Sequence, residues 1–249
     1  MRSHGKHLCI TIVDEPGLPY LIKQVDPEAL IFYRQVWSAY DPSPRDGGWK
    51  SGLEWFERFW PIYAQIPGVD VWIFTNEWVN NDWPQTDLER LRDFWLELLT
   101  VCRNRGILCT VGDFSVGTPS DLAVAVLRPV FVRAEAQDCY LNDHCYSSQR
   151  AEGNTDMAFE AEWFAMRWLK IIAGIETMKV LGGETGNSGG NGLFRTETPR
   201  LMVQYADMVK PFRQYVSGNW WEITGPGTGW ERDDWTPILP WYWQWCVTR

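Results

Sequence analysis

The chain has 249 residues, is 45% hydrophobic and 22% charged, and carries a formal net charge of −9. That size suits a single α/β barrel domain spanning residues 1–249 and lies near the upper limit for one hydrophobic core. The negative balance argues against a nucleic-acid partner, and no apolar run approaches the roughly 20 residues that a membrane-spanning helix needs.

Taken in chain order, short β-rich apolar runs alternate with longer amphipathic segments, the pattern of repeated βα units feeding a parallel sheet. Residues 1–7 are basic and polar and do not resemble a secretory signal. Strands are expected at 8–13, 30–36, 71–77, 108–114, 140–146, 179–184 and 219–224. Helices are expected at 18–25, 50–64, 86–105, 120–136, 159–175 and 199–215. The third helix carries the strongest signal: Leu88, Leu91, Trp95, Leu98, Leu99 and Cys102 recur at three- and four-residue spacing behind a cap at Thr86 or Asp87. Gly106 then ends it.

Two glycine-rich stretches, GNSGGNG from Gly186 and GPGTG from Gly225, follow expected strands on the side where parallel βα folds build their sites. The strand count reaches seven, so a (β/α)₈ barrel would lack its first strand or hide it within residues 1–7, unless WYWQW at 241–245 supplies the eighth.

Seventeen tryptophans are several times ordinary usage. Some of them fill a large core. Others are available to stack on sugar rings, because the indole face is flat, rigid and apolar while its N–H can bond a hydroxyl. Six cysteines form no C-x-x-C pair and three histidines are dispersed, so neither a zinc ribbon nor a histidine-rich metal centre is expected, and no cofactor is called for.

Two expected strand ends finish in a glutamate where a loop begins: Glu77 in VWIFTNEW and Glu184 in KVLGGETG. Carboxylates in that position point into a barrel mouth and converge across it. A pair of them is what glycosidic bond cleavage requires, one to protonate the leaving oxygen and one to attack the anomeric carbon or activate water. The plainer alternative is two ordinary capping or salt-bridging side chains.

On these residues the chain resembles the clan of retaining (β/α)₈ glycoside hydrolases that carry an acid/base Glu on the fourth strand and a nucleophilic Glu on the seventh. Asn76–Glu77 looks like the clan's Asn-Glu dipeptide, Glu184 in GGETG like its nucleophile motif, and His144–Cys145–Tyr146 like its His-x-Tyr. Trp78 stands where the clan usually has proline. The resemblance implies a carbohydrate substrate, Glu77 as acid/base and Glu184 as nucleophile; secreted or virion-associated action on a β-linked polysaccharide would fit. It further implies Asn76 on the hydroxyl beside the anomeric centre, Tyr146 on the nucleophile and Trp221 flooring the subsite at the cleavage point.

Chemistry adds two expectations. Glu184 must be ionised, with Tyr146 or Arg34 to orient it, and Glu77 must begin protonated beside apolar surface such as Trp78. Asp113, Asp143 and His144 are weaker candidates for holding hydroxyls, and Trp37, Trp83 and Trp230 for sugar platforms. Two rival readings stay open: a non-catalytic carbohydrate-binding barrel, and a metal-dependent barrel enzyme built on Asp113, Asp143, His144 and Glu184.

Overall fold

The computed structural model describes residues 7–35, 50–147, 156–186, 198–220 and 244. Among these residues seven strands alternate with six helices. The order is β1 (Cys9–Val13), α1 (Leu18–Val25), β2 (Leu30–Arg34), α2 (Gly52–Tyr63), β3 (Val71–Ile73), α3 (Gln85–Asn104), β4 (Leu108–Phe114), α4 (Asp121–Glu135), β5 (Tyr140–Tyr146), α5 (Trp168–Ile171), β6 (Lys179–Gly186), α6 (Thr198–Val209) and β7 (Tyr215–Trp220). All strand pairs are parallel and lie in sequence order from β1 to β7. At the seam Asn219 Nδ2 of β7 donates to Thr11 Oγ1 of β1 at 2.7 Å, so the sheet curls into a nearly closed barrel.

The described residues hold seven strands, the number counted in the sequence and one fewer than a (β/α)₈ barrel requires. Of WYWQW only Gln244 lies within them, and the GNSGGNG loop beyond Gly186 and the whole of GPGTG fall outside. No helix of the described residues is long and apolar enough to cross a membrane.

Period-two alternation divides each strand between two cores. Ile31 and Tyr33 of β2, Trp72 of β3 and Val111 of β4 join the main cluster, which the helices cover. Phe32, Val71, Ile73, Tyr140 and Leu181 come from strands alone and fill the barrel interior. Aromatic residues do much of the outer packing: Trp55 of α2 has ring centroids 4.7 Å from Phe59 and 5.0 Å from Phe74. Burying each such side chain contributes about 1.5–3 kcal/mol.

The helices form where apolar stripe and cap coincide. Ser51 accepts from Glu54 N at 3.1 Å and Ser120 from Ala123 N at 3.2 Å, opening α2 and α4. Helix α3 starts earlier than the expected cap, at Gln85 behind Pro84, and places Asp87 inside its first turn. There the carboxylate meets the positive end of the helix dipole.

Three boundaries depart further from the expected ones. Strand β3 stops at Ile73 because its ladder with β4 spans only Val71 and Trp72, and the chain then leaves the sheet toward Glu77. Helix α5 shrinks to one turn: Glu160 adopts a left-handed φ of 50°, which a continuous helix does not allow, and turns lead up to Trp168. Strand β7 begins at Tyr215 rather than at residue 219, anchored by a ring that packs on Trp168 and Tyr205.

Candidate active site

Two irregularities flank β5 at the C-terminal end of the barrel. On β4 the register passes from Gly112↔Asn142 to Phe114↔Asp143, leaving Asp113 as an extra residue. On β6 it passes from Gly182↔Asp143 to Glu184↔His144, leaving Gly183 extra. A bulge of this kind re-aims a side chain. Alternation alone would send Asp113 outward after Gly112; the bulge turns it inward instead, with Asp113 itself at φ 49°. Gly183 has a different reason to be glycine: a Cβ there would collide with the Asn142 carboxamide.

Strand β5 has no bulge, so Asn142, His144 and Tyr146 share its inner face. Leu141 and Cys145 face the helices, in the main cluster. The interior face meets the two glutamates. Tyr146 donates its hydroxyl to Glu184 Oε2 at 2.9 Å, and His144 Nδ1 lies 2.8 Å from Glu77 Oε1 and 3.6 Å from Glu184 Oε2. From β2, Arg34 donates through Nη2 to Glu184 Oε1 at 2.8 Å and through Nη1 to Asn76 Oδ1. One donor atom each from Glu77, His144 and Glu184 all lie within 4.8 Å of one another.

The two carboxylates have different surroundings. Glu184 is 13% exposed and Glu77 41%. Burial pushes the Glu184 carboxyl up, but the charges of His144 and Arg34 and the hydrogen bonds from Arg34 and Tyr146 outweigh it and hold the group below the usual range. His144 shows the opposite balance: burial favours neutral imidazole, while Glu184 and Glu77 together raise its pKa. Burial and the neighbouring Glu184 charge push Tyr146 well up, so it stays a hydroxyl donor.

Behind this first layer lies a second network. The Asp113 carboxylate accepts from Thr75 Oγ1 at 2.5 Å, Asn142 Nδ2 at 2.6 Å and Thr110 Oγ1 at 3.0 Å. Burial raises its pKa even so. The backbone carbonyl of Asp113 accepts from Glu77 N at 2.8 Å, with Glu77 also left-handed at φ 51°.

Arg34, Asn76, Glu77, His144, Tyr146 and Glu184 therefore come together. Trp78 goes elsewhere: it is buried, its ring 5.4 Å from that of Phe94 on α3, so the apolar surface expected beside Glu77 is replaced by His144. Trp83 is likewise buried. Trp37, Trp221 and Trp230 lie outside the described residues.

The metal set of the rival reading, Asp113, Asp143, His144 and Glu184, is not assembled. Asp113 is committed to the Thr75–Thr110–Asn142 network. Asp143 lies on the outer face of β5 near Arg167 and Trp168, where burial pushes its carboxyl up to about 8 against partial relief from His144 and Arg167. The group that does converge, two carboxylates and one imidazole, has the donor types of a divalent-ion site as well as of an acid/base centre.

Thr75 and Asn142 carry no motif that marks them as site residues in the sequence, although period two aligns Asn142 with His144 and Tyr146. Comparison of the chain with protein-family models, curated proteins and solved structures returns no significant match to any of them.

Proposed function

We propose that the chain is a retaining glycoside hydrolase acting on β-linked oligo- or polysaccharides. The observation that carries the reading is the approach of Glu77 and Glu184 at the barrel mouth, with donor oxygens within 4.8 Å. A separation of about 5–5.5 Å suits direct attack by one carboxylate, whereas inverting enzymes hold theirs about 6.5–9.5 Å apart to admit a water.

In this reading Glu184, held ionised by Arg34 and Tyr146, attacks the anomeric carbon while Glu77 gives its proton to the departing oxygen. A glycosyl ester on Glu184 results. Glu77 then takes a proton from water, whose oxygen attacks the same carbon and releases Glu184. Asn76, its Oδ1 engaged by Arg34, offers its Nδ2 to the hydroxyl next to the reacting centre. His144, with Nδ1 2.8 Å from Glu77 Oε1, orients that carboxyl for both steps.

The test is hydrolysis of β-linked oligosaccharides and aryl β-glycosides by the wild type and by Glu184→Gln, with the product anomer followed by NMR. Cleavage with retention, lost in the variant, supports the reading. Inversion, or a wild type inert on the whole panel, overturns it. The Glu77–His144–Glu184 donor set favours one second reading, a divalent-metal hydrolase. Chelator-sensitive activity restored by Zn²⁺ would favour that reading instead.

A further inference from the structure

We infer that Asp113 is a positioning residue for Glu77, clamping the segment Thr75–Asn76–Glu77 at both of its ends; this rests on the hydrolase reading above. The carboxylate takes the Thr75 hydroxyl at 2.5 Å, and the backbone carbonyl of the same residue takes Glu77 N at 2.8 Å. One residue of β4 thus fixes both ends of the three-residue run that leaves β3.

The clamp is needed because β3 itself does not hold this run. Its ladder ends at Ile73, and Thr75 onward has left the sheet. Glu77 is also held in the left-handed region at φ 51°, a conformation that strains a non-glycine residue and persists only where neighbours enforce it. Its partner Asp113 pays the same kind of strain at φ 49°. The bulge aims the carboxylate inward and leaves its carbonyl on Glu77 N.

Aspartate suits the position better than any other residue type. Three donors converge on its carboxylate, from Thr75, Thr110 and Asn142. An ionised carboxylate accepts at every lone pair, whereas asparagine would bring two hydrogens of its own into that ring of donors. The carboxamide of Asn142 in turn lies against Gly183, the residue before Glu184. Asp113 therefore references the acid/base to the strand that carries the nucleophile. A misplacement of about 1 Å in such a site costs on the order of a hundredfold in rate.

The experiment separates positioning of an acid from general loss of structure by varying the leaving group. Purified wild type, Asp113→Asn and Thr75→Val are compared by kcat/KM on an unactivated β-linked disaccharide and on the matching 2,4-dinitrophenyl β-glycoside, whose phenolate departs without a proton. Circular dichroism melts accompany each. Thr75→Val is isosteric and removes a single leg of the clamp, so it tests the idea even where Asp113→Asn folds poorly.

The expected result is a loss of about 10- to 100-fold on the disaccharide for both variants, with less than about threefold change on the dinitrophenyl glycoside, because Arg34 still holds Asn76 in place. Equal losses on the two substrates would make Asp113 an ordinary structural residue and overturn the inference, as would no loss on either. A wild type inert on both substrates removes the hydrolase reading itself, an outcome distinct from either of those.

Discussion

Arg34 and Glu184 form an ion pair of 2.8 Å in which the side chains are 3% and 13% exposed. The pair is shared, since the same guanidinium also binds Asn76. Arg34 therefore connects β2, the segment after β3, and β6 through one planar group, a geometry to which its fork of donors is suited.

Arg34→Met should destabilise the protein by up to about 3 kcal/mol, because it removes the guanidinium from a largely buried carboxylate that keeps Tyr146 and His144 beside it. The pH dependence has a definite sign. The folded-state pKa of Glu184 lies below the unfolded value, so its stabilisation is present above about 4.5 and lost as pH falls through the lowered folded value. Urea melts across pH 3 to 7 should show the wild type and Arg34→Met furthest apart near neutrality and converging in acid. A gap independent of pH would mean that Arg34 acts through packing alone.

Tyr146→Phe removes a phenolic hydrogen bond to Glu184 Oε2. A hydrogen bond to a charged group contributes about 1.5–3 kcal/mol, which corresponds to roughly a 10- to 100-fold fall in kcat/KM. The acidic limb of the pH–activity profile should move to higher pH, since one of the interactions lowering the Glu184 pKa is gone. An unmoved limb would rule out Tyr146 as a tuner of that carboxylate.

Asp143→Asn should stabilise the protein above acidic pH. The Asp143 pKa is raised from 3.8 to about 8, so the wild type loses stability as pH climbs through that interval while the unfolded chain ionises freely. Melting temperatures measured from pH 4 to 9 should fall less steeply for the variant, and the two should agree best at the acid end. Activity should be retained, because Asp143 faces α5 rather than the barrel mouth. A variant less stable at every pH would refute the assignment.

Gly183→Ala should damage the site more than the fold. The added Cβ meets the Asn142 carboxamide, whose movement would pull on Asp113 and on the neighbouring Glu184. A fall in kcat of at least about tenfold is expected, against a stability loss of about 1–3 kcal/mol for overpacking. A crystal structure of the variant with the Asn142–Asp113 bond intact would contradict this route.

The parts of this protein legible in the sequence are those governed by local periodicity. The amphipathic stripe of α3 and the apolar runs of β1, β4 and β5 fall where hydrophobic spacing puts them, since burial of a face is written directly into residue order. The two glutamates at strand ends, and Arg34, His144 and Tyr146 near them, were also visible as chemistry in βα context. Trp78 was not. Its neighbour Glu77 sits in the left-handed region, and the indole packs on Phe94 while the Glu77 carboxylate meets His144.

By itself, then, the residue order determined a parallel α/β barrel pattern and two carboxylates carried to its C-terminal end. Tertiary structure alone decided how those carboxylates differ. The bulges at Asp113 and Gly183 shift the side-chain alternation by one residue; the strand glycines Gly112 and Gly183 permit them, but the register of β4 and β6 against an unbroken β5 decides where they fall. The ionisation of Glu184 likewise depends on Arg34 of a distant strand. Such a pairing is set by the closure of the sheet, which brings residues far apart in sequence within hydrogen-bond reach.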